Sequence, residues 1–423
     1  MKDLYDIGEE MPIGAVPPKM HAMTLRKERY GQPRDAFQPE IVSVPEIGPN
    51  EILVRVMAAG INPNNVWGAF GKPADLIKDH ALIGDKTGFH IGGSDASGIV
   101  YAVGGDVTNV KVGDKVVIHC GSWDPEDPTL KTARFGNPMF AKSYKIWGHA
   151  TNWGSFAQFT KVWSHQCLPK APHLTWEEAA ASTLVGSTAY HMLTCWPPNV
   201  VQPDDIVLIW GGAGGLGSAA IQMVKLFGSI PVAVVSSEER GEYCKGLGAV
   251  GYINRKQFSH WGRMPDYPSI EEPGYEEKMA KYTEQLLGIR EFARVFWKVV
   301  GPPRRNPAIV FEHPGRDTVP TSIYLADDGG MVVICAGTSG FNADVNLLYL
   351  WNKQIRFQGS HFANGEQARD YNDLVIGGDI NPCLTKVWSF GEIGRAHQAL
   401  YEGSSFGNTV ALIGTKEPGL GRD

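Results

Sequence analysis

The sequence predicts an α/β protein with a β-rich domain and a domain built on a doubly wound parallel sheet. Three observations carry this. Residues 206–222, IVLIWGGAGGLGSAAIQ, set Gly212-x-Gly214-x-x-Gly217 between an apolar run and a small-residue helix, the context a dinucleotide-binding turn requires. From about residue 205, strand and helix patterns alternate, as in a parallel sheet. At 423 residues the chain is too long for one small core and suits two domains.

The elements follow in order. EILVRVMAA (51–59), ASGIVYAVG (96–104), DKVVIHC (114–120) and SFAQFTKV (155–162) read as short strands between Pro and Gly clusters. APHLTWEEAAA (171–181) opens helical structure, with Thr175 as N-cap and Glu178 closing a capping box. Strands are then expected at 206–210, 231–236, 251–254, 308–312 and 330–335. An insert at 256–306 interrupts them: a Pro-rich part, then a helix with Ile289, Phe292, Phe296 and Val299 on one face. Arg290, Arg294 and Lys298 form a basic stripe on it, read either as a solvated face or as a site for the phosphates of a second nucleotide-like ligand. RFQGS (356–360) and the terminal TVALIG (409–414) are further strands. The expected division is 1–180 with 345–423 for the β-rich domain, and 181–344 for the dinucleotide domain with its insert.

Composition excludes several classes. A hydrophobic share of 43% and a charged share of 20% are ordinary for a globular protein. The net charge of −6 gives no basic footprint for nucleic acid. No apolar run reaches membrane-spanning length, and MKDLYDIGEE lacks the apolar segment of a signal peptide, so a soluble cytoplasmic protein is expected. Six dispersed cysteines without a CxxC fit a reducing compartment and rule out a four-cysteine zinc lobe.

The glycine turn suggests a cofactor. Gly212, Gly214, Gly215, Leu216 and Gly217 allow close backbone approach to a pyrophosphate at a helix N-terminus. The next strand ends in Ser236 and Ser237, where NAD sites usually carry an acid. Arg240 follows, and Arg255 with Lys256 lies past the third strand. Hydroxyls and guanidinium groups suit a 2′-phosphate, which favours NADPH; the alternative is that Arg240 and Arg255 are solvated surface charges. Glu238 and Glu239 either complement the helix dipole or contact a ribose. His313 ends a parallel strand, where ligands lie in such sheets, or is structural.

GINPNN (60–65), GGSDASGIV (92–100), VGDKVVIH (112–119), GGLG (214–217) and GNTVALIG (407–414) resemble the medium-chain dehydrogenase/reductase superfamily. MAAGINPNNVW (57–67), IWG (146–148), INRK (253–256), FEHPG (311–315), GGMVVICAGTSGFN (329–342) and GSHFAN (359–364) are similar to its crotonyl-CoA carboxylase/reductases. The resemblance implies a GroES-like catalytic domain built from both chain ends around a Rossmann domain. It also implies an active site without metal, because the zinc-ligand segments of the superfamily's other branch here read Asn62, Asn64 and Gly93-Ser94-Asp95. The implied chemistry is hydride transfer from NADPH to Cβ of a short enoyl-CoA, such as crotonyl- or acrylyl-CoA. The resulting enolate is then trapped at Cα by CO2 or by a proton.

By the same resemblance, Asn64 and His361 match side chains that hold CO2 in carboxylating members, while their aromatic–Glu pair after IWG is replaced by His149-Ala150. Ala150 opens space for water and His149 brings a proton donor, so reduction with protonation is favoured over carboxylation. A non-catalytic NADPH-binding protein is a third reading. Plainer roles exist for each residue: a hydrogen-bonded interior His149, a capping His361, a turn-satisfying Asn64. Thr188, Tyr190 and Asn408 match segments near the cofactor. Trp67 and Phe70 stand where mitochondrial-type enoyl-thioester reductases carry a catalytic Tyr. Relatives pair through Rossmann sheet edges, which implies a homodimer or homotetramer.

Overall fold

The computed structural model describes residues 2–82 and 84–423. The chain divides into two compact units, Met1–Ser187 with Ala363–Asp423, and Thr188–Phe362.

The first unit is organised around Glu51–Gly60, whose apolar run is buried from Ile52 onward. This strand pairs antiparallel with Ala96–Val103 and with Phe159–Trp163. The end of the chain returns to it: Asn408–Leu412 pairs antiparallel with it and parallel with Leu384–Ser389. Arg55 is the buried charge of this strand: its two terminal nitrogens donate to Tyr101 Oη at 3.0 Å and to the carbonyls of Glu9 and Gly414 at 2.6 and 3.2 Å, while its Nε makes no hydrogen bond. A smaller antiparallel sheet joins Lys19–Leu25 to Gln38–Ser43 and to His90–Ile91. Helix Trp176–Ala179 carries the expected capping box between Thr175 and Glu178.

The second unit holds a six-stranded parallel sheet. Its strands are β1 (Ile206–Trp210), β2 (Ile230–Val235), β3 (Gly251–Asn254), β4 (Ile309–Glu312), β5 (Met331–Ile334) and β6 (Arg356–Gly359), in spatial order β3-β2-β1-β4-β5-β6. That is the doubly wound order, whose ligand crevice lies at the carboxyl ends of the strands where the order reverses, here between β1 and β4. All five residues of β1 are buried, as a strand covered on both faces requires. Helices α1 (Gly215–Leu226), α2 (Glu238–Gly246), α3 (Tyr275–Val300) and α4 (Val319–Leu325) connect them.

The insert forms α3. Ile289, Phe292, Ala293 and Phe296 are buried, and Phe292 stacks on Trp210 of β1 with centroids 5.5 Å apart. Val299, expected on the same face, is only half-buried; Arg290, Arg294 and Lys298 are exposed. The unit ends later than the expected residue 344, because β6 pairs with β5 in register Met331↔Arg356 and belongs to this sheet. It also begins at Thr188 rather than 181, inside helix Thr183–Thr194.

Candidate active site

In the second unit, Gly211 turns the chain after β1 at φ 61°. A Cβ there would lie 2.2 Å from His313 Nε2, so this imidazole at the end of β4 sits on the turn. Desolvation lowers the pKa of His313 to about 4, which keeps it neutral. Gly212 packs on Ala233, and a Cβ at Gly217 would lie 2.5 Å from the Gly211 carbonyl. Gly214 differs: it is exposed, and the nearest atom to a Cβ there is 3.4 Å away. Packing therefore accounts for Gly217 but not for Gly214, whose open front is what a closely approaching pyrophosphate needs. Helix α1 starts without a side-chain cap, leaving the N–H groups of Gly215, Leu216 and Gly217 without helical acceptors. This end fits a dinucleotide phosphate.

At the end of β2, Arg240 Nη1 donates to Ser236 Oγ at 3.1 Å, and Ser237 caps α2 through the Arg240 N–H at 3.4 Å. Glu238 is occupied elsewhere: it accepts from Tyr252 Oη at 2.6 Å and from Asn254 Nδ2 at 3.0 Å, bonds that hold its pKa below the usual range. The carboxylate is thus tied to β3, and the hydroxyl–guanidinium pair stands at the end of β2. Arg255 is exposed in the turn after β3, close enough for its charge to bear on His313. Thr188 is buried. His361 follows β6 and is exposed, although neighbouring chain desolvates the ring and lowers its pKa. Beside it, the Phe362 carbonyl meets His191 Nδ1 at 2.6 Å.

In the first unit, Pro63 starts helix Pro63–Phe70 and puts Asn64 in its first turn. Asn64 Nδ2 donates to Ser94 Oγ at 2.8 Å, while its Oδ1 accepts from the N–H and the Nδ2 of Asn65 at 2.9 and 3.0 Å. Asn65 Oδ1 in turn accepts from the Gly93 N–H at 3.1 Å. The turn 147–150 packs on the same segment: a Cβ at Gly148 would lie 1.8 Å from the Gly93 carbonyl. Asn64 and Gly148, the residue before His149, therefore approach one strip, Gly93-Ser94, from two elements. His149 and Ala150 are half-buried, and both backbone N–H groups donate to Ile146 O, at 3.3 and 2.8 Å. His80 Nε2 donates to the Ala150 carbonyl at 3.2 Å. His80 and its neighbour His90 were not singled out in the sequence, where nothing links them to this turn. Asn408 opens the last strand, and its Nδ2 donates to Pro382 O at 2.7 Å inside its own unit.

Asp95 is fully buried, receives Asn62 Nδ2 at 2.9 Å and the Leu184 N–H at 2.7 Å, and has its pKa pushed up to about 7 by desolvation. Among the described residues, no three His, Cys, Asp or Glu side chains are grouped as a metal site. None of the six cysteines forms a disulfide.

Two family models match. The alcohol dehydrogenase GroES-like domain covers residues 48–172, and the zinc-binding dehydrogenase model covers residues 215–376. The chain is 45% identical over 420 residues to a crotonyl-CoA carboxylase/reductase of Cereibacter sphaeroides, covering 99% of this chain and 93% of that protein. It is 35% identical over 429 residues to a crotonyl-CoA reductase of Streptomyces collinus, covering 96% and 90%. Among solved structures, the crotonyl-CoA carboxylase/reductase AntE in complex with NADP matches with TM-score 0.91 and 49% identity, covering 99% and 100%. The 2-octenoyl-CoA carboxylase reductase CinF, with NADP and 2-octenoyl-CoA, matches with TM-score 0.86 and 35% identity, covering 96% and 90%. With a GroES-like unit, a Rossmann unit and full-length relatives of this kind, the chain belongs to the crotonyl-CoA carboxylase/reductase family of the medium-chain dehydrogenases/reductases.

Proposed function

We propose that this chain reduces a short α,β-unsaturated acyl-CoA with NADPH and completes the reaction by protonating Cα. The observation that carries the proposal is the turn packed on Gly93 beside Asn64, which offers the imidazole of His149 and the methyl group of Ala150. A carboxylating site needs a group that orients CO2 and excludes water at this position; a methyl group does neither.

NADPH, when bound, supplies the hydride for Cβ. Gly214 and the uncapped N-terminus of α1 hold its pyrophosphate, with Gly212, Gly215, Leu216 and Gly217 shaping the turn. Ser236 and Arg240 hold the 2′-phosphate, and Arg255 adds positive charge. His313 fixes the Gly211 turn, and Thr188 and Asn408 are assigned to the cofactor by their match to the family. Asn64, oriented by Ser94 and Asn65, presents a polar group beside the reacting carbon. His361 is assigned to the substrate by its match. His149 donates the proton that ends the enolate.

Reductive carboxylation with CO2 is the second reading, favoured by the retained Asn64 and His361. Crotonyl-CoA and acrylyl-CoA are the proposed substrates and the cytoplasm the proposed compartment, since six cysteines without a disulfide suit a reducing environment. A homodimer is proposed through β6, an edge strand next to exposed Leu347, Leu348, Trp351 and Phe357.

The test is turnover of crotonyl-CoA and NADPH in deuterated water, with the product analysed by mass. Butyryl-CoA carrying deuterium at Cα is expected. A protein that binds NADPH but consumes none with either enoyl-CoA overturns the reading.

A further inference from the structure

Glu238 opens α2 at the junction that carries Ser236 and Arg240, yet its carboxylate is bonded to the neighbouring strand. Tyr252 Oη donates to Glu238 Oε2 at 2.6 Å and Asn254 Nδ2 to Oε1 at 3.0 Å, so each carboxylate oxygen has its own donor on β3. Both donors are fixed by their own surroundings. The Tyr252 ring lies over Gly241, where a Cβ would meet it at 2.4 Å, so a side chain at 241 would push the ring away. Asn254 Oδ1 accepts from the Lys256 N–H at 3.1 Å; a backbone N–H can only donate, so the amide nitrogen is the atom left to face Glu238. The phenol also reaches Glu242 Oε1, but at the longer distance of 3.3 Å. Its bond to Glu238 pushes the pKa of Tyr252 up to about 12.

Residues three and four apart share a helix face. Glu238, Gly241 and Glu242 therefore form the face of α2 that Tyr252 covers, whereas Arg240, two residues on, turns to the other side and bonds Ser236. The opposite charges at 238 and 240 are in this way kept apart. A side chain in the first helical turn leans toward the N-terminus, and here that end holds Ser236 and Ser237. An untethered Glu238 would swing to this end. There it would pair with Arg240 or stand beside the cofactor ribose. A phosphate monoester carries a charge of about −1.5 to −2 at pH 7 and is repelled by a carboxylate. The 2′-OH that NADH carries in its place donates to one.

We propose that Tyr252 and Asn254 set the preference for NADPH over NADH by holding the carboxylate of Glu238 on β3, away from the 2′-phosphate site formed by Ser236 and Arg240. The inference rests on the reading that Ser236 and Arg240 hold the 2′-phosphate. Tyr252 and Asn254 are positioning residues that act through Glu238. The carboxylate they hold stays ionised, because the same two bonds lower its pKa.

The test titrates NADPH and NADH into the full-length protein carrying Tyr252→Phe and Asn254→Ala together. NADPH affinity is expected to fall about fivefold or more, the size of a new like-charge contact, while NADH affinity holds or rises. An unchanged ratio of the two affinities overturns the inference. If the double variant does not fold, Tyr252→Phe alone, which keeps the ring on Gly241, must shift the ratio in the same direction, and no shift overturns the inference. Adding Glu238→Gln to the double variant is expected to restore NADPH affinity. Absence of that rescue means that β3 was merely disturbed, and also overturns it. Glu238→Gln by itself is expected to bind NADPH like the wild type; weaker binding means that the carboxylate contacts the ribose, against the inference. Arg240→Ala separates the two levels. If it weakens both cofactors equally, the 2′-phosphate assignment falls and takes the inference with it. If it weakens NADPH alone while the double variant keeps the wild-type ratio, the assignment stands and the inference fails.

Discussion

Arg240 and Ser236 are joined at the end of the second Rossmann strand, the guanidinium donating to the hydroxyl at 3.1 Å, while Glu238 between them in sequence is tied to Tyr252 and Asn254. In the proposed function this pair holds the 2′-phosphate of NADPH. Hydrogen bonds to charged groups are worth about 1.5–3 kcal/mol, so Arg240→Ala is expected to weaken NADPH binding about 10- to 100-fold. NADH binding should hardly change, and kcat at saturating NADPH should hold. Titration of both cofactors checks this; equal weakening of the two contradicts the assignment.

Two glycines of one turn should fail for different reasons. A Cβ at Gly217 meets the Gly211 carbonyl at 2.5 Å, so Gly217→Ala is expected to cost about 1–3 kcal/mol of stability. At Gly214 the nearest atom is 3.4 Å away, so Gly214→Ala should melt like the wild type and lose cofactor affinity. Denaturation and NADPH titration of both variants separate packing from binding. A destabilised Gly214→Ala with intact affinity runs against the reading.

Glu312 ends β4, fully buried, accepting from the Gly315 N–H at 3.1 Å, Thr318 Oγ1 at 2.7 Å and Ser322 Oγ at 2.6 Å. Desolvation outweighs these bonds and pushes its pKa from 4.5 to about 7. Between those pH values the folded state binds more protons than the unfolded state, so this residue removes stability as pH rises through that window. The melting temperature of Glu312→Gln relative to wild type is expected to climb from about pH 4.5 to 7 and to level off above it. Asp95 titrates over a similar range but is present in both proteins and cancels. A flat difference contradicts the assignment.

Phe292 anchors α3 on the Rossmann sheet by stacking on Trp210. Phe292→Ala is expected to cost about 3–5 kcal/mol, read as a shifted denaturant midpoint. A loss under about 1 kcal/mol means that the insert helix does not share the core of this unit.

Much of the fold was legible because its signals are local. β1 is an unbroken apolar run before glycines, and the Thr175–Glu178 cap is a four-residue pattern. Strand 356–360 was also readable, but not its partner: parallel pairing with β5 is long-range, and no residue of RFQGS encodes it. The pairing of Lys19–Leu25 with Gln38–Ser43 is not legible in the sequence, since Pro39 and a half-exposed second strand blur the alternation. The same limit applies to the site. Ser236 and Arg240 lie four residues apart on one strand–helix junction, whereas His80 and the carbonyl of Ala150 are joined only by the fold. Glu238 was ambiguous because its partners, Tyr252 and Asn254, sit on the next strand.

The central claim is that the turn of His149 and Ala150 protonates the enolate rather than carboxylating it. The most direct measurement follows NADPH oxidation with crotonyl-CoA and acrylyl-CoA, with and without saturating bicarbonate and carbonic anhydrase, and identifies the products by mass. The account predicts the saturated acyl-CoA under both conditions, at rates indifferent to bicarbonate. A dicarboxylic acyl-CoA as the main product in bicarbonate would contradict it and show that Asn64 and His361 capture CO2 without a carboxylate at position 150.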